Sequence, residues 1–146
     1  VVRSEVAYFD RWHVTNPYRT HGSSQSPMFK SLLGVDYLLR NWLISVQWQE
    51  QQLLDWQMGM VQDKRQPLFT LSAEGNHLRD RLKSRLVLAM SPPAKDDALL
   101  QGIFTYTPVD WLKLGLEVDV FFGKEDRTFG QYRQRDQLRV SAGYLF

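Results

Sequence analysis

The sequence predicts an all-β fold: an antiparallel up-and-down transmembrane β-barrel with about eight strands in this segment, itself part of a larger barrel. Three observations carry that expectation. Apolar residues recur at every second position in stretch after stretch, which is the period of a strand and not of a helix. The stretches are joined by turns and loops alone, and long and short connections alternate. The closing stretch, 136–146, sets Leu138, Val140, Ala142, Tyr144 and Phe146 against Gln137, Arg139, Ser141, Gly143 and Leu145, a mostly polar set, and the chain stops on an aromatic residue.

Each element follows from that period. Val2, Ser4, Val6 and Tyr8 alternate with Arg3, Glu5 and Ala7 and predict a first strand over 1–10. Asn16-Pro17, Gly22-Ser-Ser and Pro27 make 11–27 read as a long loop. Over 29–40, Leu33, Val35, Tyr37 and Leu39 take one side and Lys30, Gly34, Asp36 and Arg40 the other. Arg40-Asn41 reads as a tight reversal, after which Trp42, Ile44, Val46 and Trp48 oppose Ser45, Gln47 and Gln49. Two Trp bracketing aliphatics suit a strand anchored at both membrane interfaces, and equally a core face with two large aromatics.

The mixed stretch 54–66 reads as a second long loop, and Phe69, Leu71 and Ala73 as the next strand, ending in a turn at Gly75-Asn-His. Leu82, Leu86, Leu88 and Met90 oppose Lys83, Arg85, Val87 and Ala89; Ser91-Pro-Pro-Ala-Lys-Asp-Asp97 is turn chemistry. Leu100, Phe104 and Tyr106 form a further strand, reversed at Thr107-Pro-Val-Asp110. The clearest strand has Leu112, Leu114, Leu116, Val118, Val120 and Phe122 in an unbroken file, with Lys113, Gly115, Glu117 and Asp119 opposite. That file is about 33 Å long at ~3.3 Å per residue. Tilted as barrel strands are, it spans the roughly 25 Å apolar band of an outer-membrane barrel. The polar stretch 123–135 leads to the closing strand. The links at 10–28, 54–66 and 123–135 are long and those near 40, 75–80 and 108 short, with 91–97 the one out of sequence. Barrels of this class put short turns in the periplasm and long loops outside. A terminal strand ending at the periplasm places the short turns there too.

Composition sets bounds on function. The 146 residues amount to one domain, 1–146, taken as the carboxy-terminal segment of a barrel. With Cys 0, no disulfide or thiol chemistry is available. A net charge of +2, spread along the chain, offers no basic patch, so no nucleic acid is expected as a partner. Mean hydropathy is −0.39 and no long apolar run exists, which excludes a transmembrane helix but not a barrel, where only alternate residues face lipid. The chain opens Val1-Val-Arg, without Met or signal peptide, and reads as a mature or truncated segment of an exported protein.

If the apolar file faces lipid, the charged residues must face the lumen, because Arg or Lys on the lipid side costs about 2–4 kcal/mol near the midplane. The lumen-facing candidates are Arg3, Glu5, Asp36, Arg40, Lys83, Arg85, Lys113, Glu117, Asp119 and Arg139, with Lys30 and Glu74 beside them. They would either set permeation or pair with one another to brace the wall.

The ending resembles the carboxy-terminal signature of bacterial outer-membrane proteins, a final Tyr-x-Phe after alternating apolar residues. By that resemblance, Tyr144 and Phe146 would be read by the barrel assembly machinery. Tyr106-Thr-Pro-Val-Asp110, Leu114-Gly115, Phe121-Phe-Gly123 and Phe129-Gly-Gln-Tyr132, leading to Asp136, resemble a proteobacterial outer-membrane family catalogued as domain of unknown function 1302. Arg3-Ser-Glu5-Val-Ala-Tyr8 and Gly34-Val-Asp-Tyr37 are similar to earlier stretches of that family. The resemblance implies location in the bacterial outer membrane, contact with outer-membrane lipid, and traffic of hydrophobic or lipid-like small molecules.

No catalysis, cofactor or metal is expected. His13 and His21 fall in the first long loop near Asp10, at a spacing that matches no ligand pattern. His77 with Ser72 or Ser84 could be drawn as a hydrolase pair but falls at a predicted turn, and phosphate-binding Gly-rich loops are absent. The functional expectation is a channel or transporter wall for a small-molecule solute. The alternative is a soluble lipocalin-like barrel, with the Leu file turned inward around an apolar ligand.

Overall fold

Strands that follow one another in the chain hydrogen-bond to one another, so the fold is a meander. The structure, a computed structural model, describes residues 1–92 and 96–144. Its strands are β1 (Val2–Thr15), β2 (Ser23–Leu39), β3 (Trp42–Leu53), β4 (Arg65–His77), β5 (Leu82–Met90), β6 (Ala98–Val109), β7 (Leu112–Phe122) and β8 (Gln137–Tyr144). They form one antiparallel sheet in the order β1 to β8, and the sheet is open, with β1 and β8 at its two ends. A short 3₁₀ turn, Gly130–Tyr132, lies in the last long loop.

β5, β7 and β8 fall where the alternation puts them. Other elements run longer than it predicts. The segment 11–27 is not all loop: β1 continues to Thr15, β2 begins at Ser23, and only the seven residues between them turn. A bulge between Phe9 and Trp12 explains the difference. One extra residue there reverses the side-chain phase, so the alternation breaks although the strand does not. β3 runs on through Gln49-Glu-Gln-Gln52, which pairs with β4 but carries no apolar signal. Gly75, Asn76 and His77 belong to β4, and the turn lies at 78–81. Thr107-Pro108-Val109 is likewise strand, bulged between Tyr106 and Val109. A bulge is one of the few places in a sheet that tolerates the missing N–H of Pro.

Buried apolar side chains are few. Val14, Met28, Leu53 and Met60 form one small cluster, with Trp12 packed against it. The rest of the sheet has two largely uncovered faces, and those faces carry the functional argument.

Candidate functional site: two faces of one sheet

Strand register sorts the side chains. On one face Val2, Val35, Val46, Leu71, Leu88, Leu100 and Val120 stand in a single transverse row across seven strands. A neighbouring row runs Tyr37, Ile44, Ala73, Leu86, Gly102, Val118 and Leu138. Much of this face is open: Leu33 is 56% exposed, and Leu138 and Val140 on β8 are 72% and 75% exposed. Soluble monomers seldom leave a contiguous apolar patch of more than a few hundred Å². This one extends over the whole sheet.

Aromatic side chains lie toward both margins of the apolar face. Toward the long loops, Trp48 stands opposite Phe69, and Phe122 ends β7. One step further out on the same face comes the first ion pair, with Arg65 Nε donating to Glu50 Oε1 at 2.6 Å. Toward the short turns stand Trp42 and Tyr106, and Trp111 lies 5.7 Å from Tyr144, ring centre to ring centre. Gly75 leaves room for the Trp42 ring: a Cβ there would sit 2.9 Å from that ring and 2.7 Å from His77 Nε2.

The opposite face is mostly polar, and three ion pairs cross from strand to strand on it. Glu74 and Arg85 are register partners 3.1 Å apart, and Glu117 and Arg139 are register partners 2.7 Å apart. Asp36 accepts from Ser45 directly opposite at 2.6 Å and from Arg3 at 2.7 Å; Gln101 donates to Asp119 at 2.8 Å. Glu5, Lys83 and Lys113 share this face, and among the described residues none of them forms an ion pair. Nine of the ten charges chosen from the sequence therefore lie on one face. The tenth, Arg40, belongs to no strand: it occupies the β2–β3 turn at φ 56°, a left-handed position, and a turn residue has no assigned face. Tyr144 closes β8 on the apolar face; Phe146 lies outside the described residues.

Sequence reasoning missed what crowds the polar face near the long loops. The β1 bulge turns both Phe9 and Trp12 to this side, 5.5 Å apart, and Lys30 Nζ lies 5.4 Å and 4.7 Å from their ring centres. Beyond them the loop 54–64 folds back and seats Met60 on Val14, Met28 and Leu53. Val61 N donates to Thr15 O at 3.0 Å, Leu54 N to Pro27 O at 2.9 Å and Asp55 N to Ser26 Oγ at 3.1 Å. The last long loop is held by buried Asp97, whose Oδ1 accepts from Phe129 N at 2.8 Å and Gly130 N at 3.0 Å. Gly123, at φ 129°, packs beside that carboxylate, where a Cβ would stand 2.9 Å from Oδ1. No alternation marks these contacts, because they depend on loop conformation.

Two of the three histidines stand elsewhere than expected. His13 is a β1 residue whose ring nitrogen accepts from Gln25 at 3.2 Å, while His21 stays in the loop. His77 is on β4, so the turn placement that counted against a His–Ser pair does not hold, and Ser84 Oγ is 3.2 Å from its Nε2. The hydrogen bonding decides the chemistry instead. Asn41 Nδ2 donates to Asn76 O at 2.7 Å, which fixes the amide as a donor, and also donates to His77 Nδ1 at 2.9 Å. The ring proton is then on Nε2 and points at Ser84 Oγ, which in turn donates to Gly75 O at 3.4 Å. A ring wired this way offers Ser84 a donor, not a base. Among the described residues no cluster of three His, Asp or Glu is placed to hold a metal.

Comparison with protein-family models, with characterised proteins and with solved structures finds no match to this chain.

Proposed function

We propose that the chain is part of the wall of a transmembrane β-barrel in a bacterial outer membrane, acting as a channel or transporter for small molecules, with hydrophobic or lipid-like compounds as candidate solutes. The carrying observation is the aliphatic row from Val2 to Val120, continuous over seven strands and set against a mostly polar face crossed by three ion pairs. In water such a row is costly at ~25 cal/mol per Å² of exposed apolar surface; in hydrocarbon that cost disappears. The aromatic margins suit the two interfaces, and the Glu50–Arg65 pair suits the headgroup layer beyond one of them. Among the described residues β1 and β8 each pair with one neighbouring strand only, which supports a larger barrel completed by further strands. The soluble alternative would need the Leu face enclosed, whereas here it is uncovered.

On this reading the inward ion pairs brace the wall, and the loops packed over the polar face narrow the outer mouth. The closing strand with Tyr144 would be the segment that the assembly machinery engages. The test is labelling of Leu116→Cys and Glu117→Cys in lipid vesicles with a membrane-impermeant thiol reagent. Glu117→Cys should react and Leu116→Cys stay protected. Equal labelling, or the reverse, overturns the reading.

A further inference from the structure

The polar face carries a recess of about 490 Å³ close to the short turns, between the β2–β3 turn and β6. Two transverse rows build it. The inner row runs Leu38, Leu43, Glu74, Arg85 and Ile103 in register, so aliphatic side chains flank a carboxylate that Arg85 neutralises at 3.1 Å. Leu38 is 70% exposed, an unusual position for a leucine on a face that is otherwise mostly polar. The outer row runs Asn76, Lys83 and Thr105, and it brings an amide, a cation and a hydroxyl but no carboxylate. Lys83 and Arg40 both line the recess, and among the described residues neither has an ion-pair partner. Asp80, in the 78–81 turn, is the one other carboxylate on its rim.

Aliphatic wall and unpaired cation together select a ligand class. A purely apolar molecule leaves Lys83 and Arg40 unused, and a small inorganic anion leaves Leu38, Leu43 and Ile103 unused. We propose that this recess binds an amphipathic monoanion, an alkyl chain ending in a carboxylate or similar oxyanion. The chain lies along Leu38, Leu43 and Ile103, and the head accepts hydrogen bonds from Lys83, Arg40 and the Thr105 hydroxyl. This deepens the channel reading and rests on it, by naming the solute class and a stopping point on its path at the short-turn end.

The test uses the full-length protein in lipid nanodiscs, titrated with ω-fluorohexanoate and followed by fluorine NMR, with empty nanodiscs subtracted to remove partition into lipid. The acid should bind at least about tenfold more tightly than ω-fluorohexanol, the loss expected for one charge-assisted hydrogen bond. The double variant Arg40→Gln/Lys83→Gln should lose that preference while still binding the alcohol. Equal binding of acid and alcohol by the unaltered protein overturns the proposal, without reference to any variant. Planar-bilayer conductance separates the two readings. Conductance with no preference for the acid removes this inference and leaves the channel. Acid binding without conductance does the opposite.

Discussion

Glu117 on β7 and Arg139 on β8 stand directly opposite one another on the polar face, joined at 2.7 Å, while their chain neighbours Leu116, Val118, Leu138 and Val140 occupy the apolar face. The pair ties the last strand to the sheet at a level where the other face is aliphatic. Arg139 is well exposed, so the coupling is that of a solvated cross-strand pair, about 0.2–1 kcal/mol. Arg139→Glu should lower the thermal midpoint of the folded protein, and Glu117→Arg in the same chain should recover most of the loss. A double-mutant cycle in detergent measures it, and absence of coupling would mean that the pair does not brace β8.

Adjacent substitutions on β5 should differ sharply. Leu86 is on the apolar face and Val87 on the polar one. Leu86→Arg is expected to cost about 2–4 kcal/mol in lipid, whereas Val87→Arg should cost well under half as much. Denaturant titration of the protein reconstituted in vesicles reads the difference, and equal costs would contradict the assignment of faces.

Met60 is the contact that seats the loop 54–64. Met60→Asp should release the loop without unfolding the sheet, because ladder bonds hold the strands independently. Limited proteolysis should then cut within 54–64 at a rate above that of the unaltered protein, and the channel proposal adds that single-channel conductance should rise. A loop equally resistant in both proteins would show that Met60 does not hold it.

Asp97 accepts two backbone N–H groups of the last long loop. Asp97→Ala leaves the buried Gly130 amide and the part-buried Phe129 amide without that acceptor, a loss of about 1–3 kcal/mol for the buried group. Hydrogen exchange at Phe129 and Gly130 should accelerate, while exchange in β7 stays slow. Unchanged protection at those two amides would rule out the role.

The sequence made the faces legible wherever the period of two was unbroken. From Leu112 to Phe122 the file of Leu and Val declares the strand and which side chains share a face, and the structure keeps that alternation. Legibility failed for local reasons. The extra residue at Phe9/Trp12 reverses phase, so Trp12 and Val14 look out of pattern although they are paired. Gln49 to Gln52 have no apolar member to reveal a strand. Pro108 and Gly75 look like turn residues but occupy a bulge and the space beneath the Trp42 ring. Of the polar-face constellation, the charges could be foreseen from alternation, and their partners could not. Glu74 with Arg85 depends on cross-strand register, and Met60 and Asp97 depend on loop closure.

The most direct test of the membrane reading is a spin-label scan of every residue from Leu112 to Phe122 in lipid vesicles, comparing collision with oxygen, which concentrates in hydrocarbon, and with a water-soluble nickel chelate. Oxygen accessibility should peak at Leu112, Leu114, Leu116, Val118 and Val120 and the chelate at Lys113, Gly115, Glu117 and Asp119, alternating at a period of two. The opposite phase, or chelate access on both faces, would contradict it.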